Sequence, residues 1–444
     1  MKKDDAMTKD LADRMRSAIE GLDALRPAGR VIAATGGVLT IGGLGAARLG
    51  DRTRTGAIVA EVIRVGRDGL TAIPDGGCDG VATGDAATLM PRRGFAPDES
   101  WIGRVVDPEG RPLDGRPLLP GPRARPVRAA PPPPHDRRPM GARMGTGLAV
   151  FDTLLPLARG QRMGLFAGSG VGKSTLLGQL ARGVDADVIV VGLVGERGRE
   201  LRHFVENVLG PEGMTRCVVV AATSDAAPQA RRRCAWSATA VAEHFRDEGR
   251  QVLLLIDSVT RFAESLREIA AAAGEPTTLR GFPATTGAEI AALCERAGPG
   301  AGDAGDITAI YSVLVAGGDM DEPVADMLRG VLDGHVVLDR EIAERGRFPA
   351  IDVPRSVSRS LPDIATTQEN ALIADARRLM SDYDRAAMMI RAGLYVAGAD
   401  VATDAAIAGH PALETFVAAG SPSGGVASFG LLRRAVDSAR GAGR

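Results

Sequence analysis

Aromatic residues are scarce in this chain of 444 residues, where Phe, Trp and Tyr together make up 3%. The hydrophobic core must therefore be aliphatic, and surfaces on which nucleic-acid bases could stack are few. The formal net charge of −1 excludes bulk electrostatic attraction to nucleic acid or to an anionic membrane. Lysine is also rare, since Lys173 is the only lysine after residue 9, and we interpret this as a compositional preference for arginine.

The sequence also has little cysteine and no long apolar run. Its four cysteines are scattered, with neither C-x-x-C nor metal-ligand spacing, and we expect free thiols in a reducing cytoplasm. No apolar run reaches the length of a bilayer-spanning helix, and the charged N-terminal residues lack the apolar centre of a signal peptide. These absences predict a cytoplasmic protein.

The most informative stretch that is present is rich in glycine. Residues 161–166 have the pattern of a short buried strand, residues 176–181 have that of a helix, and a glycine-rich turn joins them. This order is the setting of a P-loop, in which backbone N–H groups and the positive end of a helix dipole bind phosphate. The residues predicted to bind a nucleotide there are Ala167, Gly168, Ser169, Gly170, Val171, Gly172, Lys173, Ser174 and Thr175.

Two side chains of this P-loop are expected to do more than shape the turn. The ammonium group of Lys173 can reach the terminal phosphates, and the hydroxyl of Ser174 can ligate Mg²⁺. The sequence therefore predicts binding of a nucleoside triphosphate.

The length predicts two or three domains. Residues 1–25 place five apolar side chains on one face of an amphipathic helix, which either packs on its own domain or docks a partner. Residues 26–95 contain short β-branched segments between glycine-rich turns, which predict a small β-barrel of five or six strands.

Residues 96–364 form the predicted nucleotide-binding domain together with a connector. The proline run within residues 129–134 predicts an extended connector that separates the barrel from the remainder of the chain. After it, apolar strands alternate with helices, which predicts an α/β domain with a parallel sheet flanked by helices. Residues 365–444 are predicted to form a helical C-terminal domain.

Carboxylates follow two of the predicted strands. Asp257 ends the apolar run 252–256, where a carboxylate beside a P-loop holds Mg²⁺. Glu196 follows a second run and can either polarise the attacking water or stabilise the start of a helix, and spacing alone leaves both interpretations open. The neighbouring Arg197 can pair with that carboxylate or with phosphate.

Several longer segments resemble one family, the type III secretion ATPases, which are homologous to the α and β subunits of rotary ATP synthases. The similarity runs in family order from about residue 29 to about residue 411, and residues 209–213 and 222–225 look more like the flagellum-specific branch. The segments that carry it most clearly are 166–177, 192–200, 257–269, 332–338 and 342–352.

The resemblance implies a RecA-like P-loop core with an N-terminal β-barrel and a C-terminal helical domain, and hydrolysis of ATP with Mg²⁺ to energise flagellar protein export. It makes Lys173 and Ser174 the phosphate and Mg²⁺ ligands and Glu196 the catalytic carboxylate. It also matches Arg359 to an arginine finger that reaches a neighbouring subunit's nucleotide, and Phe348 to an adenine-stacking position.

The same resemblance implies a set of partners. These are five further copies in a homohexamer, a stator-like regulatory protein at the N-terminal helix, a stalk-like coiled-coil protein at the pore, the export gate, and export substrates with their chaperones. The expected location is the cytoplasmic side of the inner membrane at the flagellar base. No nucleic-acid partner is expected.

Three alternatives remain open. An injectisome ATPase would share the same chemistry at a different gate. A hexameric RNA translocase would share the core, but its barrel would need aromatic and basic residues, and residues 29–91 contain no Phe, Tyr or Trp. A non-catalytic nucleotide-binding subunit is disfavoured by Glu196, because the family's non-catalytic subunits resemble this motif with Gln there.

Overall fold

The structure, a computed structural model, describes residues 26–92, 94–278, 281–315, 318–421 and 424–441. The helix expected over residues 1–25 lies outside these described residues. Among them, no helix is both long and apolar enough to cross a bilayer.

The first six strands close into an antiparallel barrel, in the order β1-β2-β5-β4-β3-β6, with β6 returning to β1. Their alternating pattern points side chains such as Leu39 and Ile41 into a small, fully buried core. This confirms the predicted barrel. The strands are β1 (Ala28–Thr35), β2 (Val38–Gly42), β3 (Arg52–Thr55), β4 (Ile58–Gly66), β5 (Gly69–Pro74) and β6 (Ala86–Leu89).

Eight strands form the central sheet, in the order β14-β13-β8-β12-β11-β9-β10-β7. Neighbours are parallel except for β13 and β14, which are antiparallel. Strands β8 to β12, in the middle of this sheet, are the apolar runs from which the parallel sheet was predicted. The strands are β7 (Val105–Val106), β8 (Arg162–Ala167), β9 (Val188–Glu196), β10 (Cys217–Thr223), β11 (Val252–Asp257), β12 (Ile307–Leu314), β13 (Gly334–Leu338) and β14 (Ile351–Ser358).

Helices cover both faces of the central sheet. A π-helical turn (Phe204–Leu209) directly follows the helix Gly198–His203. Strand β9 shows the division, because Ile189 and Val191 belong to one apolar cluster and Val188 and Val190 to the other. The helices are α1 (Ala149–Asp152), α2 (Lys173–Gly183), α3 (Gly198–His203), α4 (Gly210–Met214), α5 (Pro228–Asp247), α6 (Val259–Ala273), α7 (Thr286–Glu295), α8 (Pro323–Val331), α9 (Arg340–Glu344), α10 (Thr367–Arg391), α11 (Val401–Val417) and α12 (Gly425–Gly441).

The connector differs from the prediction in one respect. Its proline run has no helix or strand, as expected, but the segment lies along the nucleotide-binding domain instead of separating the barrel from it. Strand β7 joins the central sheet beside β10. Three arginines of the segment then form ion pairs with helices α5 and α7. Arg125 pairs with Asp247, Arg128 with Glu289 and Arg137 with Glu295.

The C-terminal helices α10 to α12 pack on the face of the sheet that carries α2. Backbone hydrogen bonds join them to the segment before α1, since Ser421 N donates to Gly147 O at 2.8 Å and Ala149 N to Ala419 O at 3.1 Å. The buried carboxylate of Asp152 adds a polar link, because it accepts a 3.0 Å bond from the Ser428 hydroxyl. The predicted fold class is therefore confirmed.

Candidate nucleotide-binding site

The glycine-rich turn between β8 and α2 has the shape of an anion-binding loop. Gly170 and Gly172 have φ angles of 78° and 87°, a left-handed conformation that favours glycine. Gly172 caps α2 without any side-chain hydrogen bond, so the first N–H groups of the helix have no side-chain partner at the cap. Phosphate oxygens are the natural acceptors for such groups.

The remaining P-loop residues divide by exposure. Ala167 and Val171 are buried and contribute only backbone to the turn. Ser169, Ser174 and Thr175 are exposed, on the turn and in the first turn of α2. A Mg²⁺ or phosphate oxygen can therefore approach the Ser174 hydroxyl from solvent.

Lys173 brings the two predicted carboxylates together. Parallel strands β9 and β11 end at the same edge of the sheet as β8, which places Glu196 and Asp257 beside the P-loop. The Lys173 ammonium donates to the Asp257 carboxylate and lies 3.7 Å from Glu196 Oε1. The hydroxyl of Ser312, on β12 between β8 and β11, donates to the same Asp257 carboxylate.

Glu196 has a perturbed proton affinity. Burial, which penalises the charged carboxylate, and repulsion from Asp257 raise the pKa of Glu196 to about 7, although Lys173 opposes the change. A carboxylate whose pKa lies near neutral pH is suited to accept a proton from water.

The residues predicted to hold Mg²⁺ fit that ion. Ser174 and Asp257 line one cavity with Glu196, and hydroxyl and carboxylate oxygens are the hard ligands that Mg²⁺ prefers. In the part of the chain that the structure describes, no group of three or more His, Cys, Asp or Glu side chains could hold a metal ion. Phosphate oxygens and water would therefore complete the coordination, as is usual for Mg²⁺ in nucleotide sites.

Phe348 lies against the P-loop, far from it in sequence. A Cβ atom placed on Gly172 would meet the Phe348 ring at 3.2 Å, and 52% of Phe348 is exposed. The ring also borders a second cavity, which reaches the C-terminal helices. That cavity is lined by Thr146, Gly147, Leu148, Gln179, Arg182, Gly183, Phe348, Pro349, Ala418 and Gly420.

Sequence reasoning missed most of this second cavity. Gln179 could have been found, because it follows Gly172 by seven residues and shares its face of α2. Ala418 and Gly420 carry no such signal, since only tertiary packing brings them to the P-loop side.

Arg197 is placed differently from one of the predicted possibilities. Its side chain is 66% exposed and its nearest ionic partner is Glu200, at 3.7 Å, on the first turn of α3. Among the described residues, the ion pair of Glu196 is with Lys173 and not with Arg197.

Arg359 lies at the opposite end of the sheet from the P-loop. Ser358 pairs with Gly334 at the amino end of β13, and β13 runs parallel to β8. Arg359 follows Ser358, whereas the P-loop continues from Ala167 at the carboxyl end of β8. Six residues of strand span about 20 Å, which is longer than an arginine side chain. Within its own chain the exposed guanidinium donates to backbone carbonyls, including that of Leu332 at 3.0 Å.

Comparisons with known proteins agree with this geometry. The profile of the ATP synthase alpha/beta family, nucleotide-binding domain, matches residues 147–358, and that of the T3SS EscN ATPase C-terminal domain matches residues 365–420. The flagellum-specific ATP synthase of Caulobacter vibrioides is 44% identical over 90% of this chain and 93% of its own. That of Salmonella typhimurium is 42% identical over 92% of this chain and 93% of its own.

Solved structures point the same way. A structure of the assembled ATPase EscN from the enteropathogenic E. coli type III secretion system has a TM-score of 0.85 and 36% identity. It covers 92% of this chain and 100% of its own. EscN in complex with its central stalk EscO gives a TM-score of 0.82 at the same identity and coverage.

The chain therefore belongs to the ATP synthase alpha/beta family and is an ATP hydrolase. Within that family it belongs with the flagellum-specific ATP synthases and the type III secretion ATPases. The predicted family and activity are therefore confirmed.

Proposed function

We propose that this ATPase energises the export of flagellar proteins through a type III apparatus, with its hydrolytic centre at the carboxyl ends of β8, β9 and β11. The observation that carries the proposal is the position of Lys173, at the start of α2, with the carboxylates of Asp257 and Glu196 on either side. A P-loop lysine between two carboxylates is an arrangement for binding Mg²⁺-ATP and activating water.

Each side chain then has a role. The turn amides and Lys173 bind the phosphates of ATP. Glu196 orients the attacking water and accepts its proton. Ser174 and Asp257 would hold Mg²⁺, which would neutralise phosphate charge when bound. Exposed Arg197 adds positive charge at the mouth of the site.

The base of the nucleotide belongs in the second cavity. The Phe348 ring offers a flat apolar face beside the P-loop, which suits stacking against adenine. The C-terminal helices would close the other side of that cavity.

The working form is a homohexamer in which each site is completed by a neighbour. Arg359 lies too far from its own P-loop to contact the phosphates there, so its guanidinium serves the site of the next subunit. Likeness to assembled EscN, and to EscN bound to its central stalk, supports a ring with a stalk-like protein at its pore. A stator-like protein at residues 1–25, the export gate, and substrates with chaperones complete the assembly at the flagellar base.

Mixing two inactive variants tests this arrangement. Arg359→Ala keeps an intact P-loop and Glu196→Gln keeps an intact arginine finger, so each alone should bind ATP and barely hydrolyse it. Loss of an arginine finger costs roughly 10³–10⁵ in rate. Where the two variants adjoin in the right order, one complete site is rebuilt, and co-assembled rings should recover partial activity.

The matched control is Arg355→Ala, because Arg355 is a half-exposed arginine on β14 with no assigned role. It should leave hydrolysis within about twofold of the unaltered protein. Subunit exchange between the two variants is followed independently by measuring the masses of the mixed rings. A tandem-linked dimer with one substitution in each half removes dependence on exchange, and its complete inactivity would refute the role of Arg359 in trans.

The injectisome alternative shares this chemistry, and the likeness to EscN supports it. Deleting the gene in the organism of origin separates the two. Under our proposal, cells lose swimming and secreted flagellar subunits. Swimming cells that fail only to secrete injectisome substrates would favour the alternative.

A further inference from the structure

We propose that Gln179 is the residue that selects adenine over guanine in this site, by reading the edge of the base that carries the 6-amino group. The inference rests on the proposed function above, since it requires the base to lie in the cavity beside Phe348. It goes further by assigning a specificity-determining side chain.

The lining of the cavity combines apolar side chains with side chains that can form hydrogen bonds. Phe348 and Pro349 are apolar members, and α2 contributes Gln179 and Arg182. Ala418 and Gly420, which follow α11, also line the cavity. A flat heterocycle stacked on Phe348 would therefore present its polar edge to α2.

Among the described residues, Gln179 is the lining side chain that offers both a donor and an acceptor and is not held by a hydrogen bond elsewhere, whereas Arg182 carries only donors. The Thr146 hydroxyl is engaged by the Asp152 carboxylate at 2.8 Å and by Leu148. The Arg182 guanidinium donates to the carbonyl of Val208. Within the described part of the chain, no hydrogen bond engages the side-chain carboxamide of Gln179, and this partly exposed residue lines the cavity.

The position of Gln179 along α2 matches the order of groups in a nucleotide. Gly172, which caps the helix where the phosphates bind, lies seven residues before Gln179. Seven residues are about two turns, so the two positions share a face and lie about 10 Å apart along the helix axis. A nucleotide that extends from the P-loop along this face brings its base to Gln179.

The chemistry of a carboxamide favours adenine. Gln presents an acceptor and a donor side by side, and adenine presents a donor, the 6-amino group, beside the acceptor N7. The Gln179 carbonyl would accept from the amino group while its NH₂ group donates to N7. Guanine presents two acceptors along the same edge, O6 and N7, so one of the two hydrogen bonds is lost.

The test compares Mg²⁺ complexes of ATP, GTP and purine riboside triphosphate, which lacks the 6-amino group, on the full-length protein. Gln179→Met keeps the length of the side chain and removes both hydrogen-bonding atoms. We expect kcat/KM for ATP to fall about tenfold through KM, which corresponds to about 1.4 kcal/mol. GTP and purine riboside triphosphate keep the acceptor N7 but lack the 6-amino donor, so their kcat/KM should fall clearly less than that of ATP.

Gln368→Met, an exposed glutamine on α10 outside the cavity, is the matched control and should keep the ATP to GTP ratio of the unaltered protein. Thermal unfolding checks that both variants fold. An unchanged ATP to GTP ratio in Gln179→Met would overturn the proposal, and so would equal losses with ATP and purine riboside triphosphate.

Phe348→Ala distinguishes failure of the inference from failure of the proposed base site. If it raises KM for both ATP and GTP while Gln179→Met leaves their ratio unchanged, only the role of Gln179 is refuted. If Phe348→Ala changes neither KM, the base does not bind in this cavity, and both assignments fall. Lys173→Ala should abolish hydrolysis of every nucleotide in either case.

Discussion

Lys173 carries a single positive charge between the carboxylates of Asp257 and Glu196. The phosphates of ATP bring further negative charge to the same place, so one ammonium group cannot neutralise the complex. Burial strengthens each of these interactions and makes uncompensated charge costly. This excess of negative charge explains why the proposed site needs Mg²⁺ and an arginine from a neighbouring subunit.

Replacing Glu196 by Gln tests the role of its carboxylate. The amide is nearly isosteric and uncharged, so ATP binding should persist, while kcat should fall more than about tenfold, or about 1.4 kcal/mol of barrier. Binding is measured with a fluorescent ATP analogue and turnover by phosphate release. Glu206→Gln, on the exposed face of the π-helical turn, is the control and should retain full activity. A smaller loss of kcat would mean that another group positions the water.

The elements differ in how far the sequence could predict them. The middle strands of the central sheet are continuous apolar runs because helices bury both faces, and β8 to β12 were predicted for that reason. β7 has only two residues, Val105 and Val106, which is too short to show a period, and β3 reads Arg52-Thr-Arg-Thr55 and has no apolar residue. β13 and β14 were recognised only as family motifs, since an edge strand such as β14 alternates between buried and exposed residues.

The site shows the same division between local and long-range information. The P-loop and the carboxylate of Asp257 were predicted because each depends on a strand end and its flanking turn. The contact of Phe348 with Gly172 depends on the path of the chain through β13 and α9, which spacing does not encode. The cavity wall from Ala418 to Gly420 likewise depends on how α11 packs.

At the junction of α1 with the C-terminal helices, Asp152→Ala should destabilise the protein. The buried carboxylate accepts hydrogen bonds from Thr146 and Ser428 at 2.8 to 3.0 Å, and its removal leaves buried donors without an acceptor. We expect the free energy of unfolding to fall by about 3 kcal/mol, measured by urea denaturation. Asp185→Ala, at an exposed position, should change it by less than about 0.5 kcal/mol. Equal effects would show that the junction adds no stability.

Asp114, in the connector after β7, makes a pH-dependent contribution to the free energy of unfolding. Hydrogen bonds from the Arg104 guanidinium at 2.6 and 2.8 Å hold the pKa of Asp114 well below its usual range. A lowered pKa in the folded state stabilises the fold above the unfolded value of about 4 and loses that effect as pH falls below it.

Asp114→Asn should therefore lower the free energy of unfolding at pH 7 by about 1–2 kcal/mol. The difference in the free energy of unfolding between this variant and the unaltered protein should be smaller near pH 3, because that pH is below the unfolded-state pKa of about 4. The exposed Asp68, in the turn between β4 and β5, provides the control Asp68→Asn. A difference that stayed constant with pH would contradict the assignment to this carboxylate.

At the scale of the whole molecule, residues 1–25 should be dispensable for folding. The barrel closes through strands that begin at Ala28, with β1 bonded to both β2 and β6. A chain that starts at residue 26 should therefore unfold at the same temperature as the full chain, as measured by circular dichroism. It should no longer bind the stator-like partner proposed for residues 1–25. The measured masses of its oligomers should differ from those of the full chain. Loss of cooperative unfolding would show that the helix belongs to the core.

Two of the segments that line the cavity proposed for the base are far apart in sequence. Residues 146–148 belong to the segment before α1, residues 418–420 follow α11, and backbone hydrogen bonds hold the two together. Binding at the C-terminal helices that moved these residues would therefore change the affinity for a nucleotide bound in this cavity. By thermodynamic reciprocity, a cargo protein that binds these helices and strengthens ATP binding by some factor must itself be held more tightly, by the same factor, when ATP is bound.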